Sequence, residues 1–316
     1  YGVDLGDSDS IGSREELIQC LGVSTDLSNK DLRGIDMSGL DLKGVDFSGS
    51  ILISVNASGA DMTGARLNGA IAAGATLKET VLAHADLGGV DVTGATLEKA
   101  DLTEANLEGA VFDEVNLVES NLTGAIAEHI SLVGSNLTAV TAEAANLMSA
   151  DMTRATLEGA NFLSARLENA TLNDCSANRA RFSGADMKGI RVSGGEYREG
   201  AFDGVKAEGA IWEGSDLSEA QFKNADLTES TFNKATLYKT DLSGADVRLG
   251  RLMKCRASKA SLVGANLFRA SFEQSDLGGA DLSGANLFEA ELLYANVEAV
   301  ILNGANVAKT KIIDFE

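Results

Sequence analysis

Proline is absent from all 316 residues of the chain. Every backbone position therefore keeps an N–H donor, which suits a fold whose backbone is committed to continuous pairing. Aromatic residues are scarce too, 5% of the chain against 44% hydrophobic residues in total, so the core must be built mainly from small aliphatic side chains. Cysteine occurs only as Cys20, Cys175 and Cys255, an odd and widely spaced set that argues against a disulfide framework and for a reducing compartment. No apolar run approaches the roughly 20 residues that cross a bilayer, and no signal-peptide pattern is present, so no membrane partner is expected. Bases are outnumbered, 26 Lys and Arg against 47 Asp and Glu, and the net charge of −21 makes nucleic acid an unexpected partner. The chain starts at Tyr1 rather than Met, which reads as a processed chain or a piece of a longer one.

What is present is a repeat. Stepping by five from Leu27 to Ile312 gives 58 positions, every one apolar, with no slip of phase. Two residues before each lies a second small position, as in Ala60, Ala65, Ala70 and Ala75. Small, Asp or Asn, Leu is an in–out–in alternation, the period of a short strand. Of the 34 glycines, 25 fall at the fifth position alone, from Gly34 to Gly304, which predicts a corner favouring positive φ. So short a strand cannot bury its own inward pair, and successive coils must stack into a solenoid.

The phrase, as in Ala100-Asp101-Leu102-Thr103-Glu104 or Ala285-Asn286-Leu287-Phe288-Glu289, closely resembles the pentapeptide-repeat proteins. The resemblance covers about residues 26 to 313. It implies an all-β fold, a right-handed quadrilateral β-helix of four repeats, or twenty residues, per coil, hence about 14.5 coils and a rod roughly 70 Å long at about 4.8 Å per coil. Phe162, Phe182, Phe202 and Phe222 support that spacing, since they would stack on one inner face. Seven inward positions shrink to alanine. In five of them the preceding small position grows: Val55/Ala57, Val140/Ala142, Cys175/Ala177, Val205/Ala207 and Cys255/Ala257. Conversely Gly195 precedes Tyr197 and Gly200 precedes Phe202. A fixed cross-section requires such trade-offs, and they make Cys175 and Cys255 core fillers.

Residues 1–12 read as a linker or the tail of a missing segment, and 314–316 as a C-terminal tail. Over 13–25, "SREELIQCLG" predicts a short N-terminal capping helix and entry turn. Ser13 and Glu16 have capping-box spacing, Leu17, Ile18 and Leu21 give an apolar stripe, and Gly22 can end the helix. The helix would hide edge strands of the first coil of the β-helix at 26–313.

Chemistry-bearing motifs are few. His84 and His129 occupy outward corners, and no nucleophile motif, P-loop or zinc spacing occurs, so neither catalysis nor a cofactor is expected. Asp26 and Asp46, or Asp41 and Asp61, should be neighbours on adjacent coils, but Asp is simply the favoured residue at that phase, and no metal is expected. An ice-binding face would need a continuous threonine ladder; Thr76, Thr96 and Thr156 share a face, but Asn116 and Asn136 interrupt it. The resemblance makes available a DNA-mimicking role on DNA gyrase. Over 70 Å the net charge amounts to about 0.3 per Å against about 0.6 for duplex DNA, and it is banded: residues 101–150 hold eight acids and no Lys or Arg, while 151–200 balance seven against seven.

The remaining signal is apolar. Phe268 and Phe288 occupy an outward phase twenty residues apart, with Val263, Leu293, Tyr294 and Ile313 nearby in sequence. Phe268, Phe288, Leu293 and Tyr294 are the candidate protein interface. The expected role is a non-enzymatic scaffold for another protein or for self-association. The bacterial cytoplasm is the expected location. A secretion-system accessory or secreted effector is the other setting the resemblance allows.

Overall fold

The computed structural model describes residues 10–313, so most of the N-terminal segment read as a linker, and the tail 314–316, lie outside the described residues. The chain divides into two compact units, Tyr1–Ala155 and Thr156–Glu316. In the first, single parallel bridges join residue i to i+20 from Asp26–Asp46 to Ser131–Asp151. In the second they run from Thr156–Ser176 to Asn286–Asn306. Both units are therefore β-helical solenoids with twenty residues, and four bridges, per coil.

The five-residue repeat shows why one bridge per side is all that forms. In the repeat Val45–Gly49, the Val45 N–H closes a turn onto Leu42 O at 3.2 Å. Asp46 N donates to Thr25 O of the preceding coil (2.8 Å), while Phe47 N and Gly49 N donate to Arg66 O (2.7 Å) and Asn68 O (3.0 Å) of the following one. The fifth donor, Ser48 N, is taken by the Asp46 side chain at 2.9 Å. All five N–H groups are used, and the Asp/Asn preference follows, since only a short side chain carrying a carbonyl-type oxygen closes that loop. The side-chain closure and the corner leave no third residue to extend the ladder. Among the described residues only β1 (Glu291–Leu293) and β2 (Lys311–Ile313) pair over three residues.

Where a repeat lacks Asp or Asn, the preceding coil can supply the acceptor. Val133, Ser193, Arg198, Lys223 and Met253 donate their N–H to Asp113, Asn173, Asn178, Asp203 and Asn233, each twenty residues earlier. At the Asp/Asn position their own repeats carry Ser131, Arg191, Glu196, Gln221 and Arg251.

The corner is left-handed without exception. Every fifth residue from Asn29 to Lys309 has φ between +54° and +71°, and 32 of them are not glycine. Each such residue carries about 1 kcal/mol of backbone strain, which explains the glycine bias and also why the stack tolerates exceptions.

Helix α1 (Arg14–Leu21) precedes the first coil. Ser13 Oγ accepts from Glu16 N at 3.1 Å as expected, but the Glu16 carboxylate reaches Gly12 N at 2.7 Å, one residue before the cap. One expectation is corrected. Leu17 and Cys20 face inward while Ile18 is 48% exposed, because the stripe follows i, i+3, i+4. Gly22 ends the helix as expected, with φ −69°. Arg14 ties the helix to the coil through Asp36 O (3.0 Å) and Ser38 O (2.9 Å).

The inward phase is buried from Leu27 to Leu292. In the last described coil it is uncovered, with Leu302 44%, Val307 47% and Ile312 50% exposed, since burial of one coil is made by the next. In the second unit Phe162, Phe182, Phe202 and Phe222 stack at 5.0, 5.0 and 4.6 Å between ring centroids, with planes within 7°. Trp212 and Phe232 stack at 5.9 Å and meet that column edge to face. The trade-off at Tyr197 is steric: a Cβ on Gly195 would lie 2.5 Å from Cys175 O and 3.1 Å from the Tyr197 ring. Tyr197 donates its hydroxyl to Leu172 O. Buried hydroxyls at the small position do likewise, as Thr80 to Ala57 O (2.9 Å) and Ser230 to Ala207 O (2.8 Å), and among the described residues no buried hydroxyl is left unpaired.

Candidate protein-interaction surface

Phe268 and Phe288 follow the buried Leu267 and Leu287, at the position whose N–H the side-chain closure holds. Phe268 N donates to Asn266 Oδ1 (3.4 Å) and Phe288 N to Asn286 Oδ1 (3.3 Å). The closure points both rings outward, half-buried, where they stack at 6.0 Å with planes 8° apart. On one flank runs an amide ladder, Asn306 to Asn286 (3.0 Å) to Asn266 (3.1 Å). On the other, Glu289 accepts from Arg269 (2.7 Å) and Lys309 (3.2 Å). Hydrogen bonds from Arg269 and then Lys309 hold the Glu289 carboxyl below its ordinary range. Arg269 and Lys309 each also stand 5.0 Å from a ring centroid, of Phe268 and Phe288 respectively. The surface is an aromatic strip between an amide ladder and a charged one, able to bind by apolar contact and hydrogen bonding.

Leu293 and Tyr294 stand in the next column. Leu293 lies half-buried in β1, and Tyr294 occupies the following corner at φ +58°, 39% exposed. Between them and Phe288 the chain turns at Glu289, and the Glu291–Lys311 pair (2.6 Å) stands there. The four candidate residues thus form two patches on consecutive columns, parted by a charged corner. Val263, 39% exposed, belongs to a third column, and the side chain of Ile313 lies outside the described residues. Sequence reasoning missed Arg269, Glu289 and Lys309, although their alternating charge at twenty-residue spacing was readable.

The other singled-out residues are placed as follows. His84 and His129 sit exposed at left-handed corners, His84 Nδ1 3.3 Å from Glu104. Cys175 and Cys255 are buried, and burial pushes the Cys255 thiol up to about 11. Asp41 and Asp61 are side by side with Lys43 Nζ at 3.8 and 3.0 Å, and Arg66 lies 3.2 Å from Asp46 beside Asp26. Among the described residues no group of three or more His, Cys, Asp or Glu could hold a metal ion. None of their helices is long and apolar enough to cross a membrane.

The family model for pentapeptide repeats matches the chain in overlapping segments that run over residues 24–138, 150–189, 202–252 and 265–304, more than half of its length. The chain belongs to the pentapeptide-repeat family. No curated protein matches it significantly. Among solved structures, this pentapeptide-repeat chain is similar to HetL, a pentapeptide repeat protein involved in heterocyst differentiation regulation from Nostoc sp. strain PCC 7120, at 21% identity over 95% of this chain and 98% of that one, with a TM-score of 0.31. It is also similar to Rfr23 from Cyanothece 51142 (27% identity, 40% and 91% covered, TM-score 0.18). A third is QnrB1, a plasmid-mediated fluoroquinolone resistance protein (15% identity, 72% and 91% covered, TM-score 0.24). With TM-scores this low, none of these likenesses bears on function.

Proposed function

We propose that this pentapeptide-repeat chain is a non-enzymatic, rigid protein-binding scaffold, and that Phe268 and Phe288, with Leu293 and Tyr294 on the next column, form its contact surface. The observation that carries the reading is the stacked phenylalanine pair at a position where the repeat itself calls for a polar residue. Its flanking cations and amides supply the polar rim that surrounds the anchors of protein interfaces. The scaffold would be one right-handed quadrilateral β-helix of about 14.5 coils over 26–313, capped at its start by the helix in 13–25, and its setting the bacterial cytoplasm. Mimicry of duplex DNA at gyrase is the less supported reading, because acidity is confined to bands and the second unit carries a cationic coil.

The test is Phe268→Ser with Phe288→Ser. Loss of the ring pair should cost stability by only about 0.5–1.5 kcal/mol, while affinity capture from the native host loses its main partner. A double mutant that keeps every captured partner would refute this surface.

A further inference from the structure

One coil of the second unit has the sign opposite to the chain as a whole. Residues 247–272 contain Arg248, Arg251, Lys254, Arg256, Lys259 and Arg269 and not one acid. Arg248 is paired with Asp246 (2.8 Å) and Arg269 with Glu289 (2.7 Å). Arg251, Lys254, Arg256 and Lys259 are exposed, and among the described residues no carboxylate forms an ion pair with any of them. The carboxylate bridged opposite Arg256, that of Asp276, is engaged by Gly278 N (3.0 Å) and Asn296 Nδ2 (2.8 Å). Twenty-residue spacing puts Lys234 and Lys239 in the columns of Lys254 and Lys259, one coil earlier, and both already hold acids, Glu213 (3.0 Å) and Glu219 (3.1 Å). Tyr238 lies under Lys239 and Lys259 at 5.3 and 5.9 Å, which steadies that edge of the patch. The four cations thus occupy two consecutive columns, and among the described residues none has an acidic partner.

We propose that this coil docks the acidic stretch 101–150 of a second copy of the chain. That stretch carries eight acids and no Lys or Arg, so whichever of its sides meets the patch brings no opposing charge. Two of the acids have basic neighbours, Glu104 with the His84 imidazole (3.3 Å) and Glu119 with Lys99 (3.6 Å). Glu108, Glu114 and Glu143 are exposed, and none forms an ion pair among the described residues. Each copy offers both surfaces, so a two-fold pair makes the contact twice. The net charge of −21 opposes approach at long range. At about 0.1 M salt the Debye length falls to about 10 Å, which damps that distant repulsion and leaves contacts between opposite charges within a few ångströms.

The test is the self-association of the full chain by sedimentation equilibrium. The wild type should associate at about 0.1 M salt and dissociate at about 1 M, where the Debye length is about 3 Å. R251E/K254E/R256E/K259E alone and E108K/E114K/E143K alone should each associate at least about 10-fold more weakly. An equimolar mixture of the two should regain association, because one variant's reversed coil meets the other's reversed stretch. That rescue also requires both variants to be folded. A monomeric wild type at every salt, association indifferent to salt, or a mixture that stays monomeric overturns the proposal. So does a wild type that binds a short DNA duplex through these four residues instead of its own copy. The double serine variant of Phe268 and Phe288 should leave this association intact, which separates it from the scaffold surface.

Discussion

At the scale of the residue, stability is concentrated where a side chain is covered by the coils before and after it. Phe182 lies 5.0 Å from a parallel ring on either side and is wholly buried. Phe182→Ala should destabilise by about 3–5 kcal/mol. Glu108→Ala, at an exposed position, should change stability by less than about 0.5 kcal/mol. Equal costs in denaturant melts would contradict the assignment of the inward phase. This much was readable in advance, because four phenylalanines at a strict twenty-residue interval admit one stacking geometry. The orientation of α1 was not: eight residues do not distinguish Ile18 from Cys20 as the inward partner of Leu17, and the answer depends on the coil beneath. The alternating charge of Arg269, Glu289 and Lys309 was readable beside Phe268 and Phe288, whereas the seats of Arg269 and Lys309 near the rings were not, since long side chains choose their partners in space.

At the scale of the element, the repeat is a hydrogen-bond circuit that the Asp or Asn side chain completes. Hydrogen bonds from Ser28, Ser38 and Ser283 hold the carboxyls of Asp26, Asp36 and Asp281 below the ordinary carboxylate range. A carboxyl lowered in the folded state stabilises the fold above its unfolded value of about 3.9, and that contribution is lost as pH falls through the lowered one. Asn keeps the acceptor oxygen and does not titrate. Replacing the three by Asn should leave the melting temperature at pH 7 unchanged and reduce its fall between about pH 5 and about pH 3. An equal fall in wild type and variant, followed by circular dichroism, would place the acid sensitivity elsewhere. The preference for Asp and Asn was visible in the sequence, whereas the acceptor lent by Asp113, Asn173, Asn178, Asp203 and Asn233 was not. That compensation comes from a side chain at the position after the inward apolar residue, twenty residues earlier, and not from the Asp/Asn position, so it appears only once the coils are in register.

At the scale of the whole molecule, the repeat accounts for the interior and is silent on the exterior, where specificity resides. Outward positions need only be compatible with a turn, so their residues record what the chain meets rather than how it folds. The cationic coil at 247–272 and the phenylalanine strip depart from that neutral background in different ways, one by charge and one by ring. The sequence placed Phe268, Phe288, Leu293 and Tyr294 in one neighbourhood, and the columns divide them by a charged corner. The most direct measurement of the scaffold reading is photo-crosslinking with a photoreactive phenylalanine analogue at position 288, and at position 43, exposed and outside both proposed surfaces, as the control. The account predicts a discrete protein adduct from position 288 and none from position 43. No adduct at 288, or the same adducts from both positions, would contradict it.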